Sequence, residues 1–200
     1  MAKTPGKRSE AMPTSRLDHL QQVQELNRAF LGLLRARIRD LRPCFGLPSA
    51  VRPALRRAND DVLDAVASFP RALFRLAITP DARRAGGDLA AYHDEREHEL
   101  VLSMLLAARH ASRQSAYQAR LLFGLETNDV DSLGALPLAD LQRLASTPAV
   151  LQCALRERHW FWHGLLTATR PELRRQLTLM ALQPGVAVDW PTRRPPQASN

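Results

Sequence analysis

The sequence predicts an all-α protein, built from two related helical units that pack as an internal pseudo-dimer. Three observations predict it. Leucine and alanine dominate an apolar content of 45%, while aromatic residues reach only 6%, a balance that favours helices packed on helices. Apolar residues recur at three- and four-residue spacing over long stretches. One ungapped shift also lays the first half on the second. Phe45-Gly46-Leu47 falls on Phe123-Gly124-Leu125, Leu55 on Leu133, Leu63 on Leu141 and Val66 on Leu144. Ala67-Ser68 falls on Ala145-Ser146, Pro70 on Pro148 and Leu73 on Leu151. The agreement covers the apolar frame and also a glycine and a proline, the residues that set backbone breaks.

Taken in order, residues 1–15 hold Pro5, Gly6 and Pro13 without periodicity and read as a disordered tail. The first unit, residues 16–79, opens with a helix over 16–41. Thr14 or Ser15 caps it, and Leu17, Leu20, Val23, Asn27, Phe30, Leu31, Leu34, Ile38 and Leu41 form its stripe. Pro43 stops this helix and Gly46 turns the chain. Short helices follow over 49–57 and 60–67, with Ser49 and Asn59 as caps. Residues 68–78, SFPRALFRLAI, read as helix or as a short strand alternating apolar residues with arginine, and helix is the preferred reading. Residues 80–88, with Pro80, Gly86 and Gly87, form the linker.

The second unit, residues 89–183, starts with a long helix over 88–122 that breaks near Ser112. Its opening HDEREHE reads as a solvated face, and the apolar run at 100–108 as buried. Gly124 ends it. Two compact turns carrying Leu133, Leu136, Leu138, Leu141 and Leu144 come next, then a helix from Thr147-Pro148 through Cys153 to about Thr167, and a last helix over 170–182. Residues 184–200 hold four prolines and Arg193-Arg194, the mark of a second disordered tail.

The chain of 200 residues carries a net charge of +8, and Lys3 and Lys7 are its only lysines. Such a balance suits a polyanion such as duplex DNA, though arginines on solvated helix faces explain it equally well. Arg35, Arg37, Arg39 and Arg42 at the end of the first helix, with Arg56 and Arg57, are the densest candidates for contact with a DNA backbone. Cations there also complement the helix dipole. Cys44 and Cys153 are two distant thiols, which points to a reducing, cytoplasmic setting. No apolar run spans a bilayer, so no membrane partner is expected.

Residues 100–155 resemble the D subunit of the bacterial flagellar master transcriptional activator, the FlhD family. Leu105-Leu106-Ala107-Ala108-Arg109 is similar to its Leu-Leu-Ala-Gln-Arg segment, and Phe123 with Leu125 to its Phe-Arg-Leu-Gly segment. The run from Ala135 to Ala145, ALPLADLQRLA, is similar to Ala-Leu-x-Leu-x-x-Met-x-Lys-Leu-Ala, and Cys153 falls within a residue of the family's cysteine. Residues 26–76 share the outline more faintly, through Asn27 and Leu33-Leu34. The resemblance implies an all-helical, DNA-binding activator of flagellar genes that acts with a co-regulator of the zinc-binding C-subunit type or by self-association. The family is one short unit that dimerises, so a tandem looks like a fused dimer. Some members form an inter-subunit disulfide, which makes Cys153 the candidate inter-subunit thiol, with Cys44 beside it.

Other constellations are weaker. His93 and Glu97 share a helix face, as do His159 and His163, but neither pair supplies a third metal ligand. Three consecutive large aromatics cannot all face one core, so Trp160, Phe161, Trp162 and His163 are candidates for a partner interface, with packing in the protein's own core as the rival reading. Asp60, Asp61 and Asp64 read as helix N-terminal charge. With no phosphate loop and no nucleophile elbow, no enzyme and no cofactor are expected. The alternative function is a helical interaction module, adaptor or chaperone-like, without DNA binding.

Overall fold

The long first helix, α1 (Thr14–Arg39), lays its apolar stripe against helices of both halves of the chain. Val23, Phe30, Leu31 and Leu34 are fully buried on it. Its partners in a computed structural model, which describes residues 14–78, 94–147, 150–156, 158–168 and 170–182, are α3 (Asp60–Ala67) and α4 (Glu95–Gln114). The expected tails and the linker lie almost wholly outside the described residues.

A left-handed Leu41 and then Pro43 end α1, and Phe45 and Gly46 turn the chain with φ of 51° and 80°. A 3₁₀ turn (Ser49–Val51) runs straight into α2 (Arg52–Arg57), with Pro53 in its first turn where no amide is needed. Asn59 caps α3 by accepting from the Val62 amide at 3.0 Å. In the second half, Asp94 caps α4, Ser115 breaks it and caps α5 (Ala116–Phe123), and Gly124 closes α5 at φ 65°. Then come α6 (Thr127–Ala135), α7 (Leu138–Ala145), α8 (His159–Thr167) and α9 (Pro171–Leu182). The all-α class stands. Among the described residues, the only strands are β1 (Phe74–Leu76) and β2 (Leu151–Cys153).

These strands correct two expectations. Residues 68–78 are not a helix, and the helix expected from Thr147 starts only at His159, because Leu151–Cys153 is extended and Leu155 turns the chain with φ of 52°. The two segments pair antiparallel, Phe74 with Cys153, Arg75 with Gln152 and Leu76 with Leu151. Ala77 donates to the Val150 carbonyl at 2.8 Å and Ala154 to the Leu73 carbonyl at 2.9 Å, extending the ladder at both ends. Local periodicity cannot reveal a strand whose partner lies half a chain away. Asn27 locks the approach to β1. Its side-chain amide donates to the carbonyls of Ala67, Phe69 and Arg71 and its oxygen accepts from the Leu73 amide at 2.7 Å, the bond to Arg71 part-buried and the others buried. The helix-like pattern of SFPRALFRLAI thus yields to a polar side chain that supplies the backbone with other partners.

The shift that superposes the sequences also relates the elements. It carries residues 49–57 onto Thr127–Ala135, Asp60–Ala67 onto Leu138–Ala145, and the positive-φ Gly46 onto the positive-φ Gly124. The strands fall one residue out of step, and the long helices match less well, Thr14–Arg39 landing on 92–117 across the end of α4 and the start of α5. Each half runs long helix, glycine turn, two short helices, strand; α5, α8 and α9 have no counterpart in the first half among the described residues. The buried residues of both halves join in one apolar cluster. No helix among the described residues is long and apolar enough to cross a membrane.

Candidate nucleic-acid and partner interface

The arginines picked from the sequence do not share one fate. Arg37, on the core face of α1, is buried, and its Nε and Nη2 grip both oxygens of Glu97 at 3.0 and 2.5 Å. Arg42 reaches the same carboxylate at 2.9 Å. Arg37 also donates to the Pro43 carbonyl at 2.6 Å and lies over the Phe45 ring, 4.2 Å from its centroid. It is therefore an internal clamp between the end of α1 and the start of α4, with its charge spent on Glu97, and is not a surface group for phosphate. Glu97 itself, 2% exposed, corrects the reading of HDEREHE as a solvated face. On α4 it extends the stripe of Val101, Met104, Ala108 and Ala111, all buried. His93 lies outside the described residues.

Arg35 is tied to Asp60 at 3.3 Å and Arg39 to its neighbour Asp40 at 3.2 Å. Arg56 and Arg57 stand exposed at the end of α2, with Arg52 a turn earlier. Among the candidates, Arg39, Arg56 and Arg57 are the most open to solvent, while Arg35 and Arg42 are half-buried. The acidic run resolves as helix N-terminal charge: Asp60 and Asp64 face Arg28 across α1 and α3.

The aromatic run on α8 is also corrected. Phe161 and Trp162 are fully buried, so neither is free for a partner. Phe161 meets Phe69 edge to face at 5.3 Å, and the Trp162 indole donates to the Ala154 carbonyl at 2.8 Å. One helix can bury both because it packs against several elements at once, α2, α3 and α9. Trp160 packs at the edge of the core and His163 is exposed. Cys153 is likewise buried in β2, its thiol donating to the Cys44 carbonyl at 3.5 Å. A disulfide to a second chain would need β2 to come out of the core. Both cysteines are free thiols. Burial pushes the Cys153 pKa far up, with Cys44 adding to it, and burial raises Cys44 as well. Among the described residues, no three His, Cys, Asp or Glu side chains converge as a metal site.

The strand pairing gathers a set of arginines that sequence reasoning missed. Arg71, Arg75, Arg156 and Arg158 border a depression of about 260 Å³ over the ribbon, walled by Phe74, Phe123, Gly124 and Cys153, with Glu126 at its rim. Its members come from segments far apart in the chain, so spacing carried no signal. No family model, no curated protein and no solved structure matches the chain.

Proposed function

We propose that the chain is a DNA-binding transcriptional regulator of the flagellar master-regulator D-subunit kind, in which the two halves stand for the two subunits of a dimer and act with a co-regulator protein in the cytoplasm. The observation that carries this reading is the matched succession of elements in the two halves, meeting at one antiparallel ribbon. A dimer of identical units meets itself through the same patch on both sides, and the ribbon has that character. Arg39, Arg56 and Arg57, with Arg35 and Arg42 at their margins, supply the positive surface for a phosphate backbone.

Duplex DNA titrated with the protein, alone and with a candidate co-regulator, tests it. Binding is expected to weaken steeply with salt, and Arg56→Gln with Arg57→Gln to flatten the log–log salt slope by about two. No shift of duplex mobility at low salt under either condition overturns it. A second reading, an interaction module without DNA binding, draws on one observation. Tyr117 and Leu121 on α5 and Leu138 on α7 are exposed, Tyr117 to 70%. A partner retained after nuclease treatment, with no duplex binding, selects that reading.

A further inference from the structure

Arg71 is the centre of the depression over the ribbon. Its backbone carbonyl accepts from Asn27 at 3.0 Å and its successor's amide donates to the Leu122 carbonyl at 2.7 Å, so the residue is fixed before its side chain is considered. The guanidinium then crosses directly over Gly124. A Cβ at that glycine would lie 2.9 Å from Arg71 Cζ, so a larger residue there would have to push the guanidinium aside. Arg156 lies beside the other positive-φ glycine more loosely, its Cδ in ordinary van der Waals contact, 3.5 Å, with where a Gly46 Cβ would be. Each half thus seats an arginine of the other on its glycine turn.

Around this pair stand Arg75, whose one acidic contact is Glu126 at 3.4 Å on an exposed rim, and Arg158, held in place by donating to the Met180 carbonyl at 3.2 Å. No carboxylate among the described residues pairs with Arg71 or Arg156. A half-buried guanidinium such as Arg71 normally meets a carboxylate, because desolvated charge without a counter-charge is costly, while Arg75 and Arg156 stand exposed at the margin. Burial, and after it the neighbouring Arg158 charge, lowers the Arg71 pKa from its ordinary value. Guanidinium forks match the oxygens of a phosphate group in pairs, and the Phe74 and Phe123 rings give the depression an apolar wall.

We propose that this depression is a binding site for a compact phosphate-bearing anion, a phosphate ester or diphosphate, held by Arg71, Arg75, Arg156 and Arg158. The ligand supplies the counter-charge that Arg71 lacks and ties β1, β2 and the Gly124 turn together, so its binding stiffens the joint between the halves. The site uses none of the arginines assigned to DNA above, so either assignment can fail without the other.

Calorimetric titration of the full chain with inorganic pyrophosphate and inorganic phosphate, at ionic strength matched with chloride, tests the site. Saturable binding of pyrophosphate is expected, weakened about tenfold or more by Arg71→Gln and by the exposed Arg156→Gln. Glu126→Gln, which removes the competing rim carboxylate, is expected to tighten it, an effect a purely structural role of the cluster would not produce. Arg57→Gln leaves it unchanged. Arg156→Gln keeps the test decisive should Arg71→Gln fail to fold. The assignment is overturned if pyrophosphate binds no better than chloride, if Arg156→Gln binds like the parent chain, or if the Arg156 variant loses only duplex DNA binding, which would transfer the cluster to nucleic acid.

Discussion

Glu97 carries a negative charge into the core and meets two guanidinium groups there, Arg37 and Arg42. Taking one partner from such a cluster leaves the other as an uncompensated buried charge, so Glu97→Ala is expected to cost about 3–5 kcal/mol in urea unfolding. Replacing Glu97 and Arg37 together by methionine is expected to recover most of that loss. Equal loss in both variants would mean that shape, not charge, governs the site. The buried thiols give a second prediction. Cys153 has its pKa raised by burial and by Cys44, so the folded thiol keeps its proton where the unfolded one loses it. The contribution to stability is full below the unfolded value of about 8.5 and is lost as pH rises beyond it, because the unfolded chain then binds fewer protons. The unfolding midpoint is therefore expected to fall between pH 8 and 10, and Cys153→Ala to shallow that fall. An unchanged pH profile in the variant would refute it.

At the scale of elements, the glycine turns decide where helices stop and strands begin. Gly124 closes α5 with φ 65° and leaves room for Arg71. Gly124→Ala is expected to destabilise by about 1–2 kcal/mol from backbone strain and crowding, measured by thermal unfolding. Arg71→Ala in that background should return the crowding part and leave the strain. The short helices α2, α3, α6 and α7 were legible in the chain because their caps and apolar spacing lie within a few residues: Asn59, Pro53 and Pro137 announce them. Of the strands, β1 was legible only as the rival reading of residues 68–78, through its alternation of apolar residues with Arg75, and β2 was not legible at all. Phe74–Leu76 and Leu151–Cys153 are stabilised by each other and by Asn27, and none of those partners is near in sequence.

Across the whole molecule, the two halves fill one core. Phe30 of α1 touches Phe74 of the ribbon, Phe74 touches Phe123 of the second half, and Phe69 touches Phe161 of α8. Neither half encloses its own apolar face, so residues 14–78 and 94–182 prepared as separate chains are expected to be largely unfolded alone and to gain helical circular dichroism on mixing. The intact chain is expected to unfold in one transition, coincident by tryptophan fluorescence and circular dichroism. A stably folded first half on its own would contradict both outcomes.

The sequence by itself determined the helical class, the caps, the glycine and proline breaks, and the frame shared by the two halves, since each depends on residues close together along the chain. Tertiary structure alone decided that β1 and β2 pair, that Arg37 and Glu97 go inside while Arg56 and Arg57 stay out, that Phe161 and Trp162 both fit one core, and that four distant arginines converge. Those outcomes turn on which segments meet after collapse, where burial of charge and loss of water are settled between neighbours in space rather than in sequence.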